Sequence, residues 1–316
     1  MDANLQAEAA AFDARIRERI EAGFIPDLRR AVKCDYFYKS FWRDPQFIRL
    51  YVGAIMDGLL ARLHNHCGRE QTVLDVGCGA GYMSLELARH GHHVTAIDIS
   101  QACIEIAEKM RDENPFTEGF GTLTYKRKPF EQIEGQYDVV MFSVSMHHML
   151  DLEAVVAQSK KCLKPGGYLL CYEPAHERFL EQDAAQVALI RGLLSLTGHW
   201  YEPDEALPHL FDAQALTNYV AEIHREYIEE RDKSEPDGQS PNDQEADGNE
   251  ILQALRPHFK EVLHEPGISF IYRLLGGIRG DEETVAKLAD FIATYDRMGV
   301  ANGYLNENGF YWLGQK

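Results

Sequence analysis

The sequence predicts an α/β protein: an open, mostly parallel sheet with helices packed on its faces. Three observations carry that expectation. The stretch Thr72–Ser100, TVLDVGCGAGYMSLELARHGHHVTAIDIS, reads as strand, glycine loop, helix and second strand. Two further runs, Tyr137–Val144 (YDVVMFSV) and Tyr168–Tyr172 (YLLCY), are almost continuously apolar, as strands buried on both faces are. An acid, Asp98, stands at the tip of the second strand, roughly 20 residues beyond the glycines, where a nucleotide-binding sheet places its ribose ligand.

The first strand is expected over Thr72–Val76, and the chain then breaks into Gly77, Gly79 and Gly81. Glycines suit a sharp reversal and let a ligand approach the backbone where no Cβ intervenes. The helix that follows carries Leu85, Leu87 and Ala88 and stops at Gly91, a natural C′ residue, before the strand His93–Ile99. The glycines are spaced G-x-G-x-G, with Tyr82 where a dinucleotide fingerprint would have its third glycine, and Asp75 stands two residues before the first. That carboxylate would repel a pyrophosphate and favour a ligand bearing ammonium or sulfonium charge. An NAD-dependent oxidoreductase is disfavoured on both counts.

At Asp75-Val76-Gly77-Cys78-Gly79-Ala80-Gly81 the sequence resembles the class I S-adenosylmethionine-dependent methyltransferases, whose first motif is an acid, any residue, then G-x-G-x-G. The resemblance implies a Rossmann-like sheet of seven strands, mostly parallel, the last antiparallel and inserted between strands five and six. It also implies S-adenosyl-L-methionine as cofactor. The loop backbone, Cys78 included, would pack on the methionine part, Asp98 would take both ribose hydroxyls, and Ile99 would pack against the adenine. The phrase Lys164-Pro165-Gly166-Gly167 before strand five is likewise similar to the family.

Residues 1–66 read as an N-terminal helical cap. Phe12, Ile16 and Ile20 form one apolar stripe that needs a partner, and an aromatic cluster follows, Tyr36, Phe37, Tyr38, Phe41 and Trp42, then Arg43. The resemblance makes Tyr38, Trp42 and Arg43 candidates to touch cofactor or substrate; the other reading is a helix-packing cluster with a solvated arginine. Residues 67–175 form the cofactor-binding core. Within it a helix over 100–112, N-capped by Ser100, ends before Pro115, and strand three is expected over Thr122–Tyr125. Many relatives place an acid just beyond that strand, but here Lys126-Arg127-Lys128-Pro129-Phe130 follows. Only backbone or stacking contacts, with Phe130, are expected there.

The strand Tyr137–Val144 ends at Ser143–His148, and ligands of open α/β sheets bind outside such carboxyl ends. Ser143 is assigned to the cofactor wall. His148, in the pair His147-His148, is a candidate general base because a histidine titrates near neutrality; both histidines can also be structural. Asp151 is expected to N-cap the next helix.

Residues 176–250 are longer than the ordinary link to strand six and read as a helical lid over the acceptor site, with helices over 178–197 and around Leu216–Ile223. His176 and Arg178 open this insertion, and His176 is the second catalytic candidate. Glu226–Glu250 holds ten acids against two bases and is expected to be a flexible loop. The C-terminal part, 251–316, should return to the sheet through a helix over Ile251–Phe259, strand six within Gly267–Leu274, a helix within Glu282–Met298 and a last strand over Gly309–Leu313.

The chain has 316 residues with 50 acids against 32 bases, a net charge of −18, which argues against a bulk grip on nucleic acid or anionic membrane. The six cysteines form no C-x-x-C pair and no zinc spacing, so no metal is expected and a reducing cytoplasm is the natural setting. No signal peptide or apolar run of about 18 residues is expected to place the chain in a membrane. No N-P-P-[FY]-like phrase follows strand four and no cysteine nucleophile stands there, so the acceptor is expected to be a small molecule, of sugar, phenol or polyketide hydroxyl type. The alternative is a non-catalytic cofactor-binding scaffold. Monomer and homodimer are both left open.

Overall fold

The computed structural model describes residues 3–34, 40–229, 240–243 and 246–316. Its sheet is built from β1 (Thr72–Val76), β2 (His93–Asp98), β3 (Thr122–Arg127), β4 (Tyr137–Ser143), β5 (Leu163–Pro174), β6 (Lys260–Pro266) and β7 (Gly309–Gln315). The spatial order is β3-β2-β1-β4-β5-β7-β6. β1 to β5 are parallel to one another, and β7 runs antiparallel to both β5 and β6. The expected sheet, with its reversed strand inserted beside strand five, is therefore present.

Alternation along the central strands sends side chains to two cores, because a strand's successive residues face opposite sides. Val73, Met141 and Leu170 join the larger core; Leu74, Val140, Phe142 and Leu169 join the second. Helices cover both faces: α1 (Ala3–Glu21), α2 (Ala54–His66), α3 (Tyr82–Arg89), α4 (Gln101–Asp112), α5 (Leu152–Cys162), α6 (Glu181–Leu196), α7 (Ala213–Ile228), α8 (Gly248–Leu255) and α9 (Glu282–Ala301). α4 and α5 begin on the expected caps, Ser100 Oγ accepting from Cys103 N at 3.1 Å and Asp151 Oδ1 accepting from Ala154 N at 2.9 Å.

Two C-terminal expectations are corrected. Strand six is Lys260–Pro266, not a segment of Gly267–Leu274. Lys260–Pro266 is the sheet's edge, paired only with β7, and its polar, exposed side chains suit an edge. The more apolar Ile268, Phe270, Ile271 and Leu274 instead form buried turns, whose Ser269 N and Phe270 N donate to the Asp296 carboxylate. The expectation of a flexible loop over Glu226–Glu250 is corrected for its described residues. Glu226–Ile228 belong to α7, and 240–243 are anchored: Ser240 Oγ donates to Glu8 Oε1 at 2.6 Å and Asn242 N to Glu8 Oε2 at 2.9 Å. Residues 230–239 and 244–245 lie outside the described residues.

The N-terminal helix is held down by carboxylates. Asp13 Oδ1 of α1 accepts from Ala102 N at 2.9 Å and from the Ser100 hydroxyl, adding a second cap to α4. Beyond α1, Asp27 takes both Arg89 Nη atoms at 2.8 Å, and Glu86 and Asn114 share the same guanidinium. Both side chains of the Asp27–Arg89 pair are almost wholly buried, at 0% and 1% exposure. Burial alone would raise the Asp27 pKa, but the Arg89 hydrogen bonds outweigh it and hold the carboxyl below its usual value. Replacing Asp27 by Ala strands a buried guanidinium on one remaining carboxylate, and the expected loss is about 3 kcal/mol of unfolding free energy, read from the urea midpoint. A loss within experimental error would show that this pair does not fasten the cap to the core.

Candidate functional site

The carboxyl ends of β1, β2, β4 and β5 open into one cavity of about 540 Å³, roofed by α1 through Glu8, Phe12, Ile16 and Arg19. Its floor is the glycine turn after β1. Gly77 N and Cys78 N both donate to Ile97 O, at 2.9 and 3.0 Å, pinning the turn to β2. Gly77, Gly79 and Gly81 all have positive φ, a region side chains disfavour. Their surroundings differ. A Cβ on Gly77 would stand 2.7 Å from Ser145 Cβ, and one on Gly81 would strike Tyr125 Oη, whereas one on Gly79 would meet nothing within 4 Å. Two of the glycines are thus demanded by close packing, and the middle one presents bare backbone to the cavity.

Two carboxylates face the same space. Asp98 Oδ2 accepts from Gly79 N and Oδ1 from Ser100 N, each at 2.8 Å. Asp75 is buried and accepts from Ser84 Oγ. Burial pushes the Asp75 pKa up to about 7; the Ser84 hydrogen bond opposes this and the neighbouring Asp98 charge adds to it. Asp98 is raised as well, mainly by burial and against the three backbone N–H groups, of Ser100, Gly79 and Ile99, that favour its ionised form. Asp75 and Asp98 give this part of the pocket a negative charge that a cationic ligand would relieve. Ile99 and Phe130 line it beside Asp98, as does Ser143, whose buried Oγ has no hydrogen-bond partner among the described residues.

The turn after β4 is organised by Glu173, near the end of β5. Its Oε1 accepts from Ser145 N at 3.0 Å and Met146 N at 2.9 Å, and its Oε2 lies 2.8 Å from His147 Nδ1. Val144 is forced to φ +55° on the way in. His148 lies against α1, its Nδ1 3.2 Å from Glu8 Oε1 and its ring edge-on to Phe12. Burial disfavours an imidazolium there, but Glu8, with Asp243 and Glu173 near, outweighs it and raises the His148 pKa.

On the opposite wall, beyond β5, His176 Nδ1 lies 2.6 Å from Asn308 Oδ1, and Asn308 Nδ2 donates to Tyr272 Oη at 3.1 Å. This network assigns the proton to Nδ1 and leaves the lone pair on Nε2. Tyr272 stacks on Tyr51 with ring centroids 5.8 Å apart, and Arg273 lies over the Tyr272 and Tyr227 rings. Tyr51, Tyr172, His176, Tyr272, Arg273 and Asn308 all line the cavity.

Of the residues expected from sequence, Asp75, Gly77, Cys78, Gly79, Asp98, Ile99, Phe130, Ser143, His148, His176 and Trp42 line the cavity. Gly81 shapes the turn from behind. Arg43 is corrected: its Nε donates to Gly276 O at 2.9 Å and its Nη2 to Ile278 O at 2.7 Å, so it ties the cap to a C-terminal turn and does not line the cavity. Tyr38 lies outside the described residues. Arg178 pairs with Glu307, away from the cavity lining. Glu8, Glu173, Tyr272 and Asn308 had no sequence motif to mark them; the apolar stripe of α1 was a clue, since Phe12 and Ile16 face the cavity.

A family model described as a methyltransferase domain matches residues 48–228. Among curated proteins, the ubiquinone biosynthesis O-methyltransferase of Pseudomonas paraeruginosa is 34% identical over 97 residues, covering 31% of this chain and 41% of the relative. The protein of the same name from Acinetobacter baylyi is 32% identical over 101 residues, with the same two shares. The chain thus spans about two fifths of the length of these relatives. Among solved structures, the [4+2]-cyclase SpnF shares the fold, with a TM-score of 0.52 over 99% of this chain and 96% of that one at 14% identity.

The buried Asp75 makes the stability of the ligand-free protein depend on pH with a definite sign. A carboxyl raised from 3.8 to about 7 by folding binds its proton more tightly in the folded state, so its contribution falls as pH rises between these values and is flat above. Asp75→Asn removes that penalty. The melting temperature of the variant relative to the parent is therefore expected to be several degrees more favourable at pH 8 than at pH 5; an equal difference at both would mean that Asp75 is not raised.

Proposed function

The chain belongs to the methyltransferase-domain family, and from that premise we propose that it transfers the methyl group of S-adenosyl-L-methionine to a hydroxyl of a small-molecule acceptor. The observation that carries the reading is the pair of carboxylates with raised pKa, buried Asp75 and half-buried Asp98, beside the bare backbone of Gly79. A cofactor with ammonium and sulfonium charges offsets both, whereas the phosphates of NAD would add to the repulsion. The orphaned Ser143 Oγ offers a further polar contact.

In this assignment Asp98 receives the ribose hydroxyls, Ile99 and Phe130 enclose the adenine, and the backbone of Gly77–Gly79 lies along the methionine part with Asp75 near its charge. When bound, the cofactor supplies an electrophilic methyl group. The protein's share is alignment, exclusion of water and removal of the acceptor's proton. α1 and Trp42 close the cavity over the cofactor half, and Tyr51 and Tyr272 offer flat faces to an acceptor ring. Of the two histidines expected as bases, the geometry favours His176: its Nδ1–H is held by Asn308 and its Nε2 takes the hydroxyl proton. His148, whose Nδ1 lies 3.2 Å from Glu8 Oε1, is left a positioning role. Hydroxyl methylation is in keeping with the O-methyltransferases the core is similar to. A cytoplasmic setting is in keeping with six free cysteines, and no described helix is long and apolar enough to cross a membrane.

Calorimetric titration with S-adenosylhomocysteine, with NAD as control, tests the cofactor, and micromolar binding of the first alone is expected. Asp98→Ala should weaken that binding by tenfold to a hundredfold, since hydrogen bonds to a charged group contribute about 1.5–3 kcal/mol each; retained affinity would remove the ribose assignment. His176→Gln should leave cofactor affinity unchanged and slow transfer from labelled cofactor to a screened acceptor about a hundredfold or more. Turnover equal to the parent's would rule out His176 as the base, and binding without transfer to any acceptor would favour the scaffold reading.

A further inference from the structure

His147 and His148 follow one another at the β4 exit, their ring centroids 4.2 Å apart. Each imidazole has a carboxylate on Nδ1: Glu173 Oε2 at 2.8 Å from His147 and Glu8 Oε1 at 3.2 Å from His148. Hydrogen-bonded carboxylates on one ring nitrogen are the usual outer partners of metal-ligating histidines, because they fix the ring and leave the other nitrogen to the ion. A third carboxylate completes the arrangement. Asp243 offers an oxygen that lies, with one ring nitrogen of each histidine, in a group whose members are all within 4.8 Å of one another.

We propose that the Nε2 atoms of His147 and His148 and the carboxylate of Asp243 form a divalent transition-metal site at the wall of the cavity. Two imidazoles and one carboxylate, with room for water, suit zinc, ferrous iron or manganese. The expectation of no metal rested on cysteine spacing, and none of these ligands is a cysteine. Around zinc, ligand atoms at about 2.0–2.1 Å from the ion stand about 3.4 Å apart, so atoms within 4.8 Å of one another need close by at most about 1.4 Å, within the reach of side-chain rotation.

A further observation supports an ion here. Beside Asp243, Asn242 is 1% exposed and its Oδ1 has no hydrogen-bond partner among the described residues, an acceptor that metal-bound water would satisfy. The segment presenting Asp243 is itself fixed, through Ser240 and Asn242, to Glu8 of α1. An ion at this point would therefore clamp α1 and the 240–243 segment to the end of β4, closing the cavity from the side of its roof. This role does not depend on which acceptor is methylated.

The test uses the full chain, free of any affinity tag and stripped with chelator, titrated calorimetrically with Zn²⁺ and separately with Mn²⁺. One ion per chain is expected for Zn²⁺, and His148→Ala and Asp243→Asn should each weaken it at least about tenfold. If His148→Ala fails to fold, Asp243→Asn alone decides. Zinc-edge X-ray absorption should show two imidazoles in the coordination shell of the parent protein. Absence of stoichiometric binding, affinity unchanged in Asp243→Asn, or a shell without two imidazoles would overturn the proposal, whether or not the chain binds S-adenosylhomocysteine.

Discussion

The site depends on ionisable groups being kept out of water at the ends of parallel strands. Asp75 and Asp98 stand in adjacent strands, and among the described residues neither makes an ion pair with a lysine or arginine. Asp98 is held ionisable by N–H groups of the turn and of the next helix, while Asp75 accepts from the Ser84 hydroxyl. Such an arrangement costs folding free energy in the empty protein and is relieved by a positively charged ligand. The glycine turn follows from the same constraint: Gly77 and Gly81 are closed in by Ser145 and Tyr125, whereas a Cβ at Gly79 would meet nothing, so the turn's most open backbone faces the ligand's side at Gly79.

The roof is held by the same kind of interaction. α1 carries few large apolar residues, yet three acids on or just after it find well-placed partners: Glu8 on the 240–243 segment and His148, Asp13 on the start of α4, and Asp27 on Arg89. Each tie reaches a different part of the core. The net charge of −18 does not lie wholly on the surface: several of these acids are interior fasteners rather than solvated groups.

The core was legible because its signals are local. A buried parallel strand must be apolar throughout, a tight turn needs glycines, and a helix start wants an oxygen, so β1 through β5 and the caps at Ser100 and Asp151 could be read directly. Three things were not local. Strand six was sought in the apolar run after Gly267, but an edge strand is chosen by its neighbour β7 and tolerates the polar Lys260–Pro266. Arg43 was taken towards the cofactor by its place after the aromatics, but which carbonyls a guanidinium meets depends on the C-terminal turn at Gly276–Ile278. The His176–Asn308–Tyr272 relay joins residues more than 130 positions apart in its first link, and no spacing rule reaches that far.

The long insertion meets the cavity in the half proposed to take the acceptor. The far wall of that half is a ladder of planar groups: Arg191, buried in α6, takes Glu226 of α7 in a bidentate pair at 2.8 and 3.0 Å, and Glu226 also faces Arg273. Arg273 in turn lies over Tyr272 and Tyr227, and Tyr227 donates to Phe270 O at 2.7 Å. Glu226, Tyr272 and Arg273 line the cavity, whereas Arg191 and Tyr227 stand behind them. A bidentate guanidinium–carboxylate pair is rigid and directional, so a change in α6 or α7 would be felt as a shift of the wall rather than absorbed as side-chain motion. The cofactor half is built from strand ends whose geometry the sheet dictates. The half proposed for the acceptor is built from the insertion and the turns after β6, which the sheet does not constrain and where a chain with this core is free to vary.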